Sequence, residues 1–124
     1  MLLNGPMTEI HDGDVTIVVF GPDMKQLDEI NVADIGNKLV DVAGRIAQPK
    51  LILDLSLTEF FGSSFIEALF RVWRKLNDRP DAKFGIACLQ PYCREVLEIT
   101  HLDRLWPLFE SREEAIKAFQ TSAS

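Results

Sequence analysis

Between residues 51 and 70 the chain changes its hydrophobic period once. Leu51, Ile52, Leu53 and Leu55 form a short apolar run suited to a strand covered on both faces, whereas residues 64–76 carry helical spacing. The turn between them, Glu59-Phe60-Phe61-Gly62-Ser63-Ser64, is therefore expected at the carboxyl end of a buried strand. In open α/β sheets that edge is where ligands and partners bind, and a helix start there offers free N–H groups and a positive dipole end.

The local pattern gives the two serines different tasks. Ser64 and Glu67 stand three apart, as in a capping box, which makes Ser64 the expected N-cap. Ser63 then lies one position outside the helix, where no backbone donor demands its hydroxyl, and is the freer group for modification. A phosphate on it would be tolerated by the helix dipole. The same pattern also fits two serines that only cap and turn the chain.

The rest of the chain alternates strands with helices. Residues 8–11 and 15–20 flank the turn dipeptide Asp12-Gly13 and read as a β-hairpin, closed by Gly21-Pro22. Val32, Ile35, Leu39, Val42 and Ile46 recur at three- and four-residue steps, with Asn31 available as N-cap, and predict a helix of about four turns ending before Pro49. In the helix after Ser64, the apolar set Phe65, Ile66, Leu69, Phe70, Val72, Trp73 and Leu76 is wider than one stripe. Part of it should cover the sheet, leaving Phe65 and Ile66 at the first turn for a partner. Residues 83–89 read as a strand, Pro91 through Glu98 as a short helix, residues 105–109 as a final edge strand, and Ser111 with Glu113 and Glu114 as the start of a last helix. This order implies parallel pairing with right-handed crossovers.

With 124 residues, 47% of them hydrophobic and 26% charged, the chain fits one α/β domain with a real core. Its core is expected over about residues 8–119, between a short N-terminal lead and a tail fraying from Gln120. A net charge of −6 opposes nonspecific attraction to nucleic acid. The densest basic group, Arg71, Arg74, Lys75 and Arg79, fits the solvated side of one amphipathic helix. No apolar stretch approaches the roughly 20 residues of a membrane span, and the N-terminus lacks a basic leader, so a cytoplasmic location is expected.

Catalytic patterns do not assemble. Phe61-Gly62-Ser63-Ser64-Phe65 lacks the Gly-x-Ser-x-Gly elbow, and His101 falls in a helix-end turn. Neither phosphate-cradling glycine motif occurs. Cys88 and Cys93 lack a second cluster at metal-ligand spacing, His11 and His101 are far apart, and Asp54 is read as bonding nearby backbone N–H groups. No enzymatic activity, metal or cofactor is expected.

The order leading from Leu51-Ile52-Leu53-Asp54-Leu55-Ser56 to Phe61-Gly62-Ser63-Ser64-Phe65-Ile66 and a long helix resembles the STAS family, whose bacterial members include anti-sigma factor antagonists. Residues 92–109, with Tyr92-Cys93-Arg94-Glu95-Val96-Leu97, are similar to that family's closing helix and final strand, and Glu113-Glu114-Ala115-Ile116 to its last helix. The resemblance implies a four- to five-stranded mixed sheet with about four helices mainly on one face, and a regulatory, non-enzymatic interaction domain. It implies Ser63 as phosphoacceptor, with Ser64 the lesser candidate, and Gly62, Ser63, Ser64, Phe65 and Ile66 as the partner-binding residues. The implied partners are an anti-sigma factor or related serine kinase and a serine phosphatase. Gly62 stands where the family usually has Asp, and Phe65 where it has Gly, so both departures touch the switch. They keep open a constitutive scaffold in a signalling assembly or a lipid-transport ATPase complex. Small-ligand binding at the same sheet edge is a third class.

Overall fold

Alternation and turn chemistry agree at the start of the chain. The computed structural model describes residues 7–27 and 29–121; the expected lead through Pro6 and the end of the tail lie outside them. Strands β1 (Met7–Asp12) and β2 (Val15–Phe20) pair antiparallel, from Met7 opposite Phe20 to Asp12 opposite Val15. The loop is Gly13-Asp14, one residue later than the expected dipeptide, because Gly13 supplies the positive φ of 62° that the tight turn requires.

A short segment β3 (Gln26–Leu27) follows, then helix α1 (Glu29–Arg45). Asn31 is not the N-cap: α1 already includes Glu29, and the Asn31 amide donates instead to the Gln26 carbonyl at 3.1 Å. Strand β4 (Lys50–Asp54) pairs parallel with β2 on one side and with β6 (Lys83–Ala87) on the other. Between them lie β5 (Phe60–Phe61) and α2 (Ser63–Asn77). Helix α3 (Pro91–Ile99), edge strand β7 (Leu108–Phe109) and α4 (Arg112–Thr121) complete the order. The main sheet runs β1-β2-β4-β6-β7, parallel apart from β1, while β3 and β5 form a separate parallel pair.

Every residue of β4 is buried, which explains its unbroken apolar reading. One sheet face packs Val18, Phe20, Leu51, Leu53 and Ile86 against α1, α2 and α3; the other packs Val15, Ile17, Ile52 and Ala87 against Ala115 and Phe119 of α4. Three helices thus share one face and α4 alone closes the second. Its start is capped by Ser111, whose hydroxyl oxygen accepts the Glu114 N–H at 3.1 Å.

The expected strand over residues 105–109 shortens to two residues. Trp106 is wholly buried against Phe70, Trp73 and Phe84, with ring centroids 5.1–6.3 Å away, and this packing draws the preceding segment into a 3₁₀ turn at Leu102–Arg104. Aromatic burial outweighs local strand propensity there.

A buried carboxylate ties the edge strand to α1. Glu9 on β1 is fully buried and accepts both guanidinium arms of Arg45 at 2.7 and 3.2 Å, and the His11 Nε2 at 2.7 Å. Arg45 is the main reason the Glu9 carboxyl lies below its ordinary value of 4.5, with burial working against it. A depressed folded-state pKa stabilises the fold above the unfolded value, and that contribution is lost as the pH falls through the folded one. Glu9→Gln should therefore narrow the loss of stability between pH 7 and acid, measured by urea unfolding across pH. Equal acid sensitivity in both proteins would show that the clamp contributes nothing to it.

Candidate docking and modification site

The loop after β4 is fixed at both ends before it reaches the serines. Asp54, almost fully buried, accepts the Ser56 N–H on one carboxylate oxygen at 2.9 Å and the Arg112 guanidinium on the other at 2.9 and 3.1 Å. The backbone N–H bond expected for Asp54 is present; the ion pair with Arg112, 58 residues away, had no signal in the sequence. Further along, the buried Thr58 hydroxyl donates to the Met24 carbonyl at 3.0 Å, the Glu59 and Phe60 N–H groups both donate to the Lys25 carbonyl, and Gln90 donates to the Ser56 carbonyl at 2.8 Å. These bonds create the small β3–β5 pair, which two-residue strands could not announce by periodicity.

Pairing with β3 turns Phe61 inward and Phe60 outward. Phe61 is 1% exposed and packs on Phe65 at 5.2 Å, and Phe65 meets the edge of Phe20 at 5.9 Å. With Phe65 wholly buried, the phase of α2 is set: Ala68, Leu69, Val72 and Leu76 follow it into the core.

That phase corrects the capping expectation. The N-cap is Gly62, in extended conformation at φ −108°, and it makes no side-chain cap bond. The helix begins at Ser63, so Ser64 is its second residue and its hydroxyl lies too far along to cap. Ser63 is exposed and its hydroxyl has no hydrogen-bond partner among the described residues, while Ser64 is half-buried at the upper end of a groove between α1 and α2. The structure also separates the two expected apolar contacts. Ile66 is half-buried at the surface, but Phe65 is inside the core and cannot touch a partner.

Apolar exposure arises instead from neighbouring elements. Leu57, Phe60 and Tyr92 are 42%, 40% and 50% exposed, and Phe60 and Tyr92 stack at 5.7 Å with 21° between their planes. Cys93 and Leu97 define the buried face of α3, which leaves Tyr92, half-buried Val96 and 67% exposed Ile99 on an outer stripe at i, i+4 and i+7. The Cys93–Leu97 spacing was the available sequence signal for that stripe. Stacking thus joins the α3 stripe to the residues leading into Ser63.

Other chemistry-bearing residues are dispersed or enclosed. Cys93 is buried, which pushes its thiol up to about 11, and burial also raises that of Cys88, away from thiolate reactivity. His101 occupies the left-handed position after α3, as the helix-end reading expected, and no three His, Cys, Asp or Glu side chains converge on a metal position among the described residues. Thr16, His11 and Glu9 do align as hydroxyl, imidazole and carboxylate, with Thr16 Oγ1 3.1 Å from His11 Nδ1. Thr16 is only 3% exposed, which denies a substrate access, and the triplet is a structural link beside Arg45. No helix among the described residues is long and apolar enough to cross a membrane.

The fold has solved counterparts. An anti-sigma-factor antagonist (STAS) domain protein from Planctomyces limnophilus superposes with TM-score 0.84 and 36% identity over 92% of this chain and 97% of its own. An anti-sigma factor antagonist from Mycobacterium paratuberculosis gives TM-score 0.78 and 23% identity over 92% of each chain. The Bacillus cell fate determinant SpoIIAA in its phosphorylated form gives TM-score 0.67 and 18% identity over 90% of this chain and 97% of its own. No curated protein shows significant sequence similarity. The STAS domain profile matches residues 5–115, and the chain belongs to the STAS domain family.

Proposed function

We propose that the chain is a non-enzymatic regulatory interaction domain of the anti-sigma factor antagonist type, switched by phosphorylation of Ser63. The observation that carries this reading is the placement of Ser63: an exposed, unbonded hydroxyl on the first residue of a rigidly phased helix, beside the Phe60–Tyr92 apolar surface. The partner is an anti-sigma factor or related serine kinase, and a serine phosphatase resets the switch. The relatives named as antagonists, and SpoIIAA solved in a phosphorylated form, support this assignment.

The physical mechanism is local. Unmodified, the surface from Ser63 and Ile66 to Phe60, Leu57 and the Tyr92–Ile99 stripe offers apolar area that a partner can desolvate. A phosphate adds nearly two negative charges at its rim. The dipole of α2 stabilises that charge within this domain, while Glu59 and Glu67 are exposed nearby and add to the negative field a partner would meet. Docking then requires desolvation of a dianion. A tenfold loss of affinity needs only about 1.4 kcal/mol.

One feature favours a second reading. A side chain at Gly62 would meet nothing within 4 Å, and its backbone is not left-handed, so packing does not impose the glycine. The family's usual acid is therefore absent without steric cause, as expected of a constitutive scaffold that has no kinase to satisfy.

One variant separates these readings and a second tests the surface they share. Ser63→Asp should weaken binding of the co-purified partner about tenfold in titration calorimetry without lowering the melting temperature, whereas the scaffold keeps its affinity. Tyr92→Ala should cost about 2 kcal/mol of binding, as expected of an exposed aromatic anchor, and unchanged affinity would remove the α3 stripe from the interface.

A further inference from the structure

A groove follows the seam of α1 and α2 from Ser64 toward Asp78. Its upper part, about 420 Å³, is bordered by Val32, Ala33, Ser64, Glu67, Ala68 and Arg71. It continues through a region of about 440 Å³ that shares Arg71, and one of about 500 Å³ that shares Val40 and Lys75. The upper part is lined mainly by apolar surface, and the cations lie along the lower parts.

Two glycines in α1 make this possible. A Cβ at Gly36 would come within 3.3 Å of Arg71 Nη1 and 3.2 Å of Ala68 Cβ, and one at Gly44 within 2.9 Å of Lys75 Cε. Glycine in a helix interior is a weaker helix former than alanine. What α1 gains is room for two basic side chains to lie flat in the groove.

Three of the cations along the groove make no direct ion pair among the described residues. Lys38 pairs with Asp34, Arg45 with Glu9 and Asp41, and Arg79 is used on the Ala43 and Ala47 carbonyls at the end of α1. Exposed Arg74 and Lys75 have no carboxylate within ion-pair distance among the described residues, and Arg71 bonds only the neutral Asn37 oxygen at 2.9 Å. Three unpaired cations thus follow one groove in a chain of net charge −6. The solvated-face reading of the basic group holds for exposure but not for Arg79, which caps a helix end.

We propose that the α1–α2 groove is a second docking surface, whose occupant is an acidic segment of a partner protein with interspersed apolar residues. Charge complementarity selects the sign. Glu67, Asp41 and Asp78 along the borders select the class, because they repel a polyphosphate that is negative at every step, whereas a peptide can space its carboxylates to avoid them. Half-buried Val40 and exposed Ala33 offer apolar contacts between those carboxylates.

The test is titration of the isotope-labelled full chain with a fluorescein-tagged peptide of repeating Glu and Leu, read by amide shifts and anisotropy. Shifts should concentrate on Gly36, Val40, Gly44, Arg71, Arg74 and Lys75. Arg74→Glu with Lys75→Glu should weaken binding about tenfold or more, with Arg74→Gln and Lys75→Gln as the milder pair should the reversal fail to fold. Lys117→Glu on α4 should leave it unchanged, and because the titrated chain is unphosphorylated, the result does not depend on the phosphoswitch. Shifts centred elsewhere, binding indifferent to the charge changes, or inorganic polyphosphate seated equally well in the same groove would each overturn the proposal.

Discussion

The burial of Phe65 against Phe20 and Phe61 decides what the rest of the molecule presents. A phenylalanine removed from such a site costs about 3–5 kcal/mol, a large share of what a domain of this size has in hand. Because that side chain must point inward, α2 can have only one phase, and that phase brings Ser63 to its first position with the hydroxyl outward. The family's glycine would leave this wedge unfilled. The departure from the family pattern therefore changes the packing beneath the proposed switch and leaves the Ser63 hydroxyl exposed.

Around that wedge, polar bonds act as positional constraints more than as sources of stability. Asp54 connects the loop start to Arg112 on the opposite face, Thr58 connects it to Met24, and Gln90 connects it to the α3 side. The first two pair side chains, Asp54 and Thr58, that would otherwise be buried without a partner. Their joint effect is to hold the stacked Phe60–Tyr92 pair next to the segment that leads into the exposed Ser63 hydroxyl. The basic groove begins beside that surface, at Ser64 and Glu67, and runs away from it along the α1–α2 seam.

What the sequence made legible follows from the range of the interactions involved. Elements whose signal is periodic came through: the continuous apolar run of β4, the hairpin, the helical spacing of α1 and α2, the Pro91 start of α3, and with them the mixed five-stranded fold. Local capping patterns were less dependable, since Ser64 and Asn31 both had suitable chemistry yet lie within their helices. Tertiary burial of Phe65 overrode the first. The β3–β5 pair, the Asp54–Arg112 bridge and the Trp106 cluster depend on contacts far apart in sequence and had no local trace. For the site, Ser63 was legible as a free hydroxyl; Phe60 and Tyr92 were not, because their exposure depends on which neighbour of each turns inward.

The central claim is that Ser63 is a phosphoacceptor. Its most direct test is intact-mass and peptide mass spectrometry of the protein recovered from its native cell with phosphate preserved, sampled across growth and stress. The account predicts a population carrying one phosphate localised to Ser63. Unmodified Ser63 under every condition, or phosphate located only elsewhere, would contradict it.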